Sequence, residues 1–276
     1  MRRIDRLWKI LTSTSLTLSG KRDLFRVLSA RRHKRKALFP IQLPIGQAVA
    51  DGENCAVDFQ VFAQIFLDKV YGKLEFQDRI VIDIGAHKGY FAAYALMSGA
   101  KAVLSYEPEE VNFKCLARFA ESATFHGLAI QIFQAAVSEV DGEVALYLSP
   151  ESWSHTILQH RGFSPNTGLR VRSYSLTNIL RKTEAEFSGQ ELILKVDAEG
   201  VEGSLLVKTP DEYFASVKEV VFEYHAFGGY DLRTVLERLE YLGFEYVASA
   251  KDADLHHVRS SSGASMAPLS GGSTVP

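Results

Sequence analysis

The sequence predicts an α/β fold in which a mostly parallel central sheet carries helices on both faces, and three observations predict it. Short apolar runs at Ile80–Ile84, Ala102–Tyr106, Leu192–Val196 and 217–222 have the length and composition of strands covered on both sides. Each run contains or leads into a carboxylate: Asp83, Glu107, Asp197 and Glu223. The first run opens into Gly85-Ala86-His87-Lys88-Gly89, a glycine-punctuated turn that leads into helical periodicity at 90–97. Alternation of strand, turn and helix calls for right-handed crossovers between parallel strands.

A chain of 276 residues with 46% apolar and 23% charged content can bury the core of one ordinary domain. Cys55 and Cys115 lie far apart with no CxxC pair, so neither a disulfide framework nor a structural zinc site is indicated. The formal net charge of -2 hides an asymmetry, because residues 1–40 hold 12 Lys+Arg against 2 Asp+Glu. Composition divides the chain into a basic N-terminal extension at 1–50, a domain at 51–250 and a Ser-, Gly- and Pro-rich tail at 251–276 that is expected to be disordered.

In the extension, Ile4, Leu7, Trp8 and Leu11 share a helical face surrounded by basic residues. Such a helix can rest weakly on an anionic membrane surface through residues 1–36, with Arg31-Arg32-His33-Lys34-Arg35-Lys36 adding attraction. The preferred reading is an extension docked on the domain or disordered, because short charged termini are usually poorly ordered. Residues 10–18 are too rich in Ser and Thr for a signal-peptide core, and no stretch reaches the length of a membrane span. A cytoplasmic location is expected, with peripheral membrane association as an open alternative; an organelle transit peptide would have a similar composition.

Phe59, Phe62, Phe66 and Val70 recur at helical spacing ahead of the glycine turn. Beyond it, 112–123 reads as a helix, 129–135 and 143–148 as strands, and 149–168 as a loop able to cover a site. Strand 169–174 leads into a short helix at 175–181 capped by Ser175. A helix at 202–207 follows Asp197-Ala198-Glu199-Gly200, and a helix at 232–242 closes on Gly243 before a final strand at 244–247.

The turn constrains its ligand. A dinucleotide fingerprint needs a glycine where this chain has His87, which counts against NAD. Asp83 would repel a diphosphate but suits a ligand with an ammonium group, and S-adenosyl-L-methionine fits that description. Glu107 emerges beside the turn, 22 residues beyond Gly85, where its carboxylate can accept both ribose hydroxyls of an adenosine.

These motifs resemble those of Rossmann-like class I methyltransferases that use S-adenosyl-L-methionine. More narrowly, Val81-Ile82-Asp83-Ile84-Gly85-Ala86-His87-Lys88-Gly89, Glu107-Pro108-Glu109-Glu110-Val111-Asn112-Phe113 and Leu194-Lys195-Val196-Asp197-Ala198-Glu199-Gly200-Val201-Glu202 resemble the FkbM family, with support from Phe222-Glu223-Tyr224-His225. The resemblance covers residues 55–248 and departs at His87, where the family usually has Asn. It implies O-methylation of a sugar or natural-product hydroxyl. It also implies cofactor contacts at Asp83, Gly85, Ala86, His87, Gly89, Glu107, Pro108 and Ala135.

For the chemistry, Asp197 can orient substrate, touch the cofactor or accept a proton, or it can be a helix-start acid satisfied by backbone amides. Glu199 carries the same two readings. His225, after a buried strand, is a candidate base or a hydrogen-bonded core histidine, and Glu202 reads as structural. His155, in the cover loop, is a weaker candidate base and otherwise a solvated loop histidine. No metal is expected, since His160 and His256-His257 have no spaced partner set and Asp197 with Glu223 is too small a set. The expected partner is a small-molecule or glycan acceptor, not nucleic acid. Rival classes are a nicotinamide oxidoreductase, disfavoured by His87, and a noncatalytic membrane or nucleic-acid adaptor built on the basic N-terminus.

Overall fold

The computed structural model describes residues 3–30, 37–149, 152–159, 168–250 and 254–261. The Arg31 to Lys36 cluster, His160 and the chain beyond 261 lie outside these residues. The elements run α1 (Arg3–Thr12), α2 (Leu18–Ala30), β1 (Leu38–Leu43), β2 (Gly46–Asp51), α3 (Cys55–Phe66), β3 (Ile80–Ile84), α4 (Tyr90–Met97), β4 (Ala102–Tyr106), α5 (Glu110–Phe125) and β5 (Ile130–Phe133). They continue with β6 (Ala136–Ser138), β7 (Gly142–Leu146), β8 (Leu169–Ser175), α6 (Leu176–Glu186), β9 (Leu192–Val196), α7 (Glu202–Lys208), β10 (Val217–Glu223), α8 (Leu232–Tyr241), β11 (Phe244–Ala250) and β12 (Leu255–Ser260).

The central sheet has the order β11-β12-β10-β9-β3-β4-β5. Strands β10, β9, β3, β4 and β5 are parallel, and β12 is antiparallel to both its neighbours. The strand order reverses between β3 and β9, and the carboxyl edge at such a switch point is where ligands bind. Period-two alternation explains why the sheet is apolar on both faces. Ile80, Ile82, Leu104, Leu194 and Phe222 face α6, α7 and α8. Val81, Val103, Ile193 and Val221 face the opposite way, toward α3 and α4.

At the chain ends the structure selects one expectation and overturns another. The extension docks on the domain: Ile10, Leu24, Val27, Ile41, Leu43 and Ala50 are buried in the same core cluster as Phe59 and Val81, and Tyr90 Oη donates to Val49 O at 2.8 Å. The tail expected to be disordered from 251 instead forms β12 at Leu255–Ser260, inserted between β10 and β11. Its polar residues concealed it, yet they have partners: His257 and Arg259 meet the buried Glu219 of β10 at 2.6 and 3.0 Å, and Arg79 meets the same carboxylate at 2.6 Å. Smaller differences concern 129–135, where the strand β5 covers only Ile130–Phe133 and β6 follows beyond it in a separate sheet with β7 and β8, and β1 and β2, a hairpin that local pattern does not announce. Ser175 caps α6 as expected, accepting from Asn178 N.

Candidate active site

The register of the parallel strands builds the floor of the site. Asp83 on β3 sits beside Ser105 on β4 and Lys195 on β9. All three continue the face of Val81, Val103 and Ile193, and all are nearly or fully buried. The Lys195 ammonium lies 3.2 Å from Asp83 Oδ1 and 3.3 Å from Asp197 Oδ2. It donates to Gly85 O at 2.7 Å and Ile84 O at 3.2 Å. Burial pulls the lysine pKa down, but the Asp83 and Asp197 charges outweigh it and hold the group protonated, above its ordinary value. Burial raises the Asp83 pKa against the pull of Lys195. One cation thus ties the glycine turn to the Asp197 loop. The sequence reading gave Lys195 no role, although a lysine inside the otherwise apolar run of β9 was the available signal.

His87 has φ +49, in the left-handed region where Asn, Asp and His are the tolerated non-glycine residues. That geometry accounts for a histidine where the resembling motif has Asn. Its backbone N–H donates to Glu107 Oε2 at 2.8 Å, and its ring Nε2 meets Ser152 Oγ at 3.2 Å. Burial, then the charges of Lys88 and Lys195, lower its pKa well below the usual value, so the ring is neutral. Below the turn, Lys88 and Asp58 form a fully buried ion pair at 2.5 Å.

Above the turn lies a pocket of about 690 Å³. Of the expected cofactor residues, Gly85, His87, Glu107, Pro108 and Ala135 line it, with Tyr106, Val137, Leu146 and Ile157 as apolar wall. Asp83, Ala86 and Gly89 do not. Asp83 is 0% exposed and faces Lys195, so the idea that it meets an ammonium directly is revised. Glu107 accepts from Glu109 N at 2.9 Å as well as from His87 N, one amide to each carboxylate oxygen. Burial pushes its pKa to about 8 against those two amides, and a donating diol would draw it down again. Ser152, Trp153 and His155 of the expected cover loop complete the wall, and Asn112 Nδ2 holds Ser152 O at 2.7 Å.

A second pocket of about 800 Å³ shares Trp153, Asp197 and Glu199 with the first, and adds Gln60 and Gln64 of α3, Tyr71 and Glu223. The glutamines, one turn apart on α3, were not singled out in the sequence. Burial raises Glu199 to about 7, with His225 opposing and Asp197 and Glu202 assisting. Burial and the Asp197 charge raise Glu223 to about 8. Glu202 is buried and accepts from Ala198 N at 2.9 Å and Gly200 N at 3.0 Å, the structural role expected of it.

His225 lines neither pocket. Its Nδ1 contacts Glu202 Oε1 at 3.0 Å, and its Nε2 lies 3.4 Å from Glu199 Oε2. Burial lowers its pKa, but the Glu202 hydrogen bond and the surrounding carboxylates raise it to about 9. At neutral pH it is an imidazolium with both nitrogens engaged, which removes the free lone pair a base requires. Asp197, Glu199 and His225 each offer one ligand atom within 4.8 Å of the others, so this trio could also hold a divalent cation, which the sequence reading did not anticipate.

The raised histidine gives a pH signature. A folded-state pKa of about 9 against an ordinary 6.5 means the stabilisation is complete below 6.5 and is lost as pH rises through about 9. The difference in unfolding midpoint between wild type and His225→Gln should be largest at the acid end of this window and shrink across it. A difference independent of pH would contradict the ion-pair assignment.

Comparison with solved structures finds likeness of chain course at low identity. A TehB-like SAM-dependent methyltransferase from Corynebacterium glutamicum is 13% identical, with 76% of this chain and 97% of that chain covered at a TM-score of 0.38. A SAM-dependent methyltransferase from Agrobacterium tumefaciens is 8% identical, with 80% and 69% covered at 0.40. A ribosomal protein L11 methylase from Lactobacillus delbrueckii subsp. bulgaricus is 13% identical, with 73% and 79% covered at 0.36. Comparison with curated proteins gives no match. The model of the methyltransferase FkbM domain matches residues 83–246, from the acid ahead of the glycine turn into β11, and the chain belongs to the FkbM methyltransferase family.

Proposed function

We propose that this methyltransferase uses S-adenosyl-L-methionine to methylate a hydroxyl oxygen of a small-molecule or glycan acceptor. The observation that carries the reading is the meeting of two pockets at Asp197, Glu199 and Trp153, on the carboxyl edge of the sheet at its switch point. The bound cofactor would supply an electrophilic methyl group on a sulfonium.

The chain's own residues do the rest. Glu107 accepts the ribose hydroxyls, the Gly85 to His87 backbone shapes the approach, and Tyr106, Val137, Leu146 and Ile157 take the apolar ring. Asp83 acts through Lys195 by fixing the turn. In the second pocket, Gln60, Gln64 and Trp153 hold a polyhydroxylated acceptor, and Asp197 orients its reacting hydroxyl. Glu199, held near 7, is matched to accept that proton at neutral pH. His225 serves as a positioning cation for Glu199 and Glu202. In-line positioning supplies the larger share of the rate, with effective molarities of about 10⁵ M or more available.

Calorimetry should show binding of S-adenosyl-L-methionine that NADH does not displace. Glu107→Ala should weaken it about 10- to 150-fold, the loss of a charged hydrogen bond of about 1.5–3 kcal/mol. Absence of binding by the wild type would end the cofactor assignment. Once labelled cofactor identifies an acceptor, Glu199→Gln should lower kcat about 10²- to 10⁴-fold and remove a rate limb near pH 7. Retention of that limb would move the base elsewhere.

A further inference from the structure

The two N-terminal helices are held to the domain by one side only. Helix α1 buries Ile10 and α2 buries Leu24 and Val27, while the Lys21 ammonium donates to Leu11 O at 2.7 Å and joins the end of α1 to the start of α2. Their other side is open and carries three large apolar side chains among the described residues. Trp8 is 67% exposed, Leu11 55% and Leu18 86%. A helix packed on a core by one stripe ordinarily turns polar residues to water; here Trp8 and Leu11 on α1 and Leu18 at the start of α2 face it as well.

Basic charge accompanies them. Leu18, Arg22 and Arg26 follow one another at four-residue spacing on α2, and all three are exposed, Arg26 while pairing with Asp23 at 3.2 Å. Residues 1–40 carry a formal +10 against -12 for the remainder of the chain. Exposed tryptophan and leucine on a pair of helices in a segment with a large excess of cations are the chemistry that recognises a bilayer surface with anionic lipid: the apolar side chains enter the head-group region and the guanidiniums pair with lipid phosphates. A nucleic acid would use the cations but has no use for solvent-facing Leu11 and Leu18.

We propose that α1 and α2 form a docking surface for an anionic bilayer. Helix α2 packs against α3, and α3 supplies Gln60, Val61 and Gln64 to the second pocket. Docking therefore holds α3, which lines the acceptor pocket, one helix away from the bilayer; on the reading of the chain as a methyltransferase of hydroxyls, this suits an acceptor carried on a lipid.

Flotation of the full chain with vesicles tests this without reference to methyl transfer, so its outcome is separable from that of the proposed activity. Vesicles of phosphatidylcholine mixed with phosphatidylglycerol should carry the protein at low salt, less so at high salt, and phosphatidylcholine alone should not. Two variants should each lose about tenfold or more in binding: Trp8→Ser/Leu11→Ser/Leu18→Ser, and Arg22→Gln/Arg26→Gln. The altered side chains are exposed, so unchanged circular dichroism should accompany the loss in both variants, and the apolar triple variant should keep the wild-type unfolding midpoint. No flotation with the mixed vesicles, or undiminished flotation of the apolar triple variant, would overturn the proposal. So would tighter binding to duplex DNA that the triple variant retains, which would make the surface a nucleic-acid one.

Discussion

Replacing Lys195 with methionine should destabilise the protein by about 3–5 kcal/mol, the typical effect of removing one partner from a buried ion pair. The ammonium is 3% exposed and faces the carboxylates of Asp83 and Asp197 and the carbonyls of Ile84 and Gly85. Methionine keeps much of the volume over Phe91, whose ring centroid lies 5.9 Å from the ammonium, so the loss reports charge more than packing. Asp83, fully buried and with neither oxygen otherwise hydrogen-bonded, would be left as an isolated charge. The double variant Lys195→Met/Asp83→Asn should therefore recover part of the stability lost in the single one, a positive coupling that urea unfolding can measure. Cofactor binding should remain impaired in the double variant, because the turn has lost its tie to the Asp197 loop. A single variant within about 1 kcal/mol of wild type would show that the cation does not hold the site together.

Gly85→Ala should abolish cofactor binding outright and destabilise the fold by more than about 4 kcal/mol. The residue has φ +73, and a Cβ added there would stand 1.7 Å from Asp197 O. No rotamer change relieves a clash with backbone, so β3 and β9 would have to separate at the point where the two pockets meet. Gly127→Ala is the control. It has a similar φ of +78, but its Cβ would meet nothing within 4 Å. The control should show only the left-handed cost of about 1–2 kcal/mol. Equal losses in the two variants would mean that backbone conformation, not the approach of Asp197, makes Gly85 necessary.

The candidate site was legible in the sequence where local pattern carries the information. The apolar runs at β3, β4 and β9 have the bounds the sequence predicts, because a fully covered strand is written in consecutive residues and ended by its own turn. Glu107 could be placed beside the glycine turn for a related reason: parallel crossovers align carboxyl ends whatever the rest of the chain does. His87 was visible as a departure but not explicable, since its φ and its contact with Ser152 belong to the folded turn. His225 was equally visible, but a sequence cannot show that Glu202 and Glu199 both face its ring.

What the sequence by itself determined is the fold class, the position of the glycine turn and the acids that gather at the strand ends, all consequences of short-range periodicity and turn chemistry. Tertiary structure alone decided which of those acids are free. It neutralised Asp83 with Lys195, charged His225 between two glutamates, and brought the polar β12 into the sheet against Glu219. It also fixed the N-terminal helices on the core with Trp8 and Leu18 outward. The physical reason is common to these cases: the state of a charge depends on burial and on the partners that face it, and those partners lie on segments far apart in the chain.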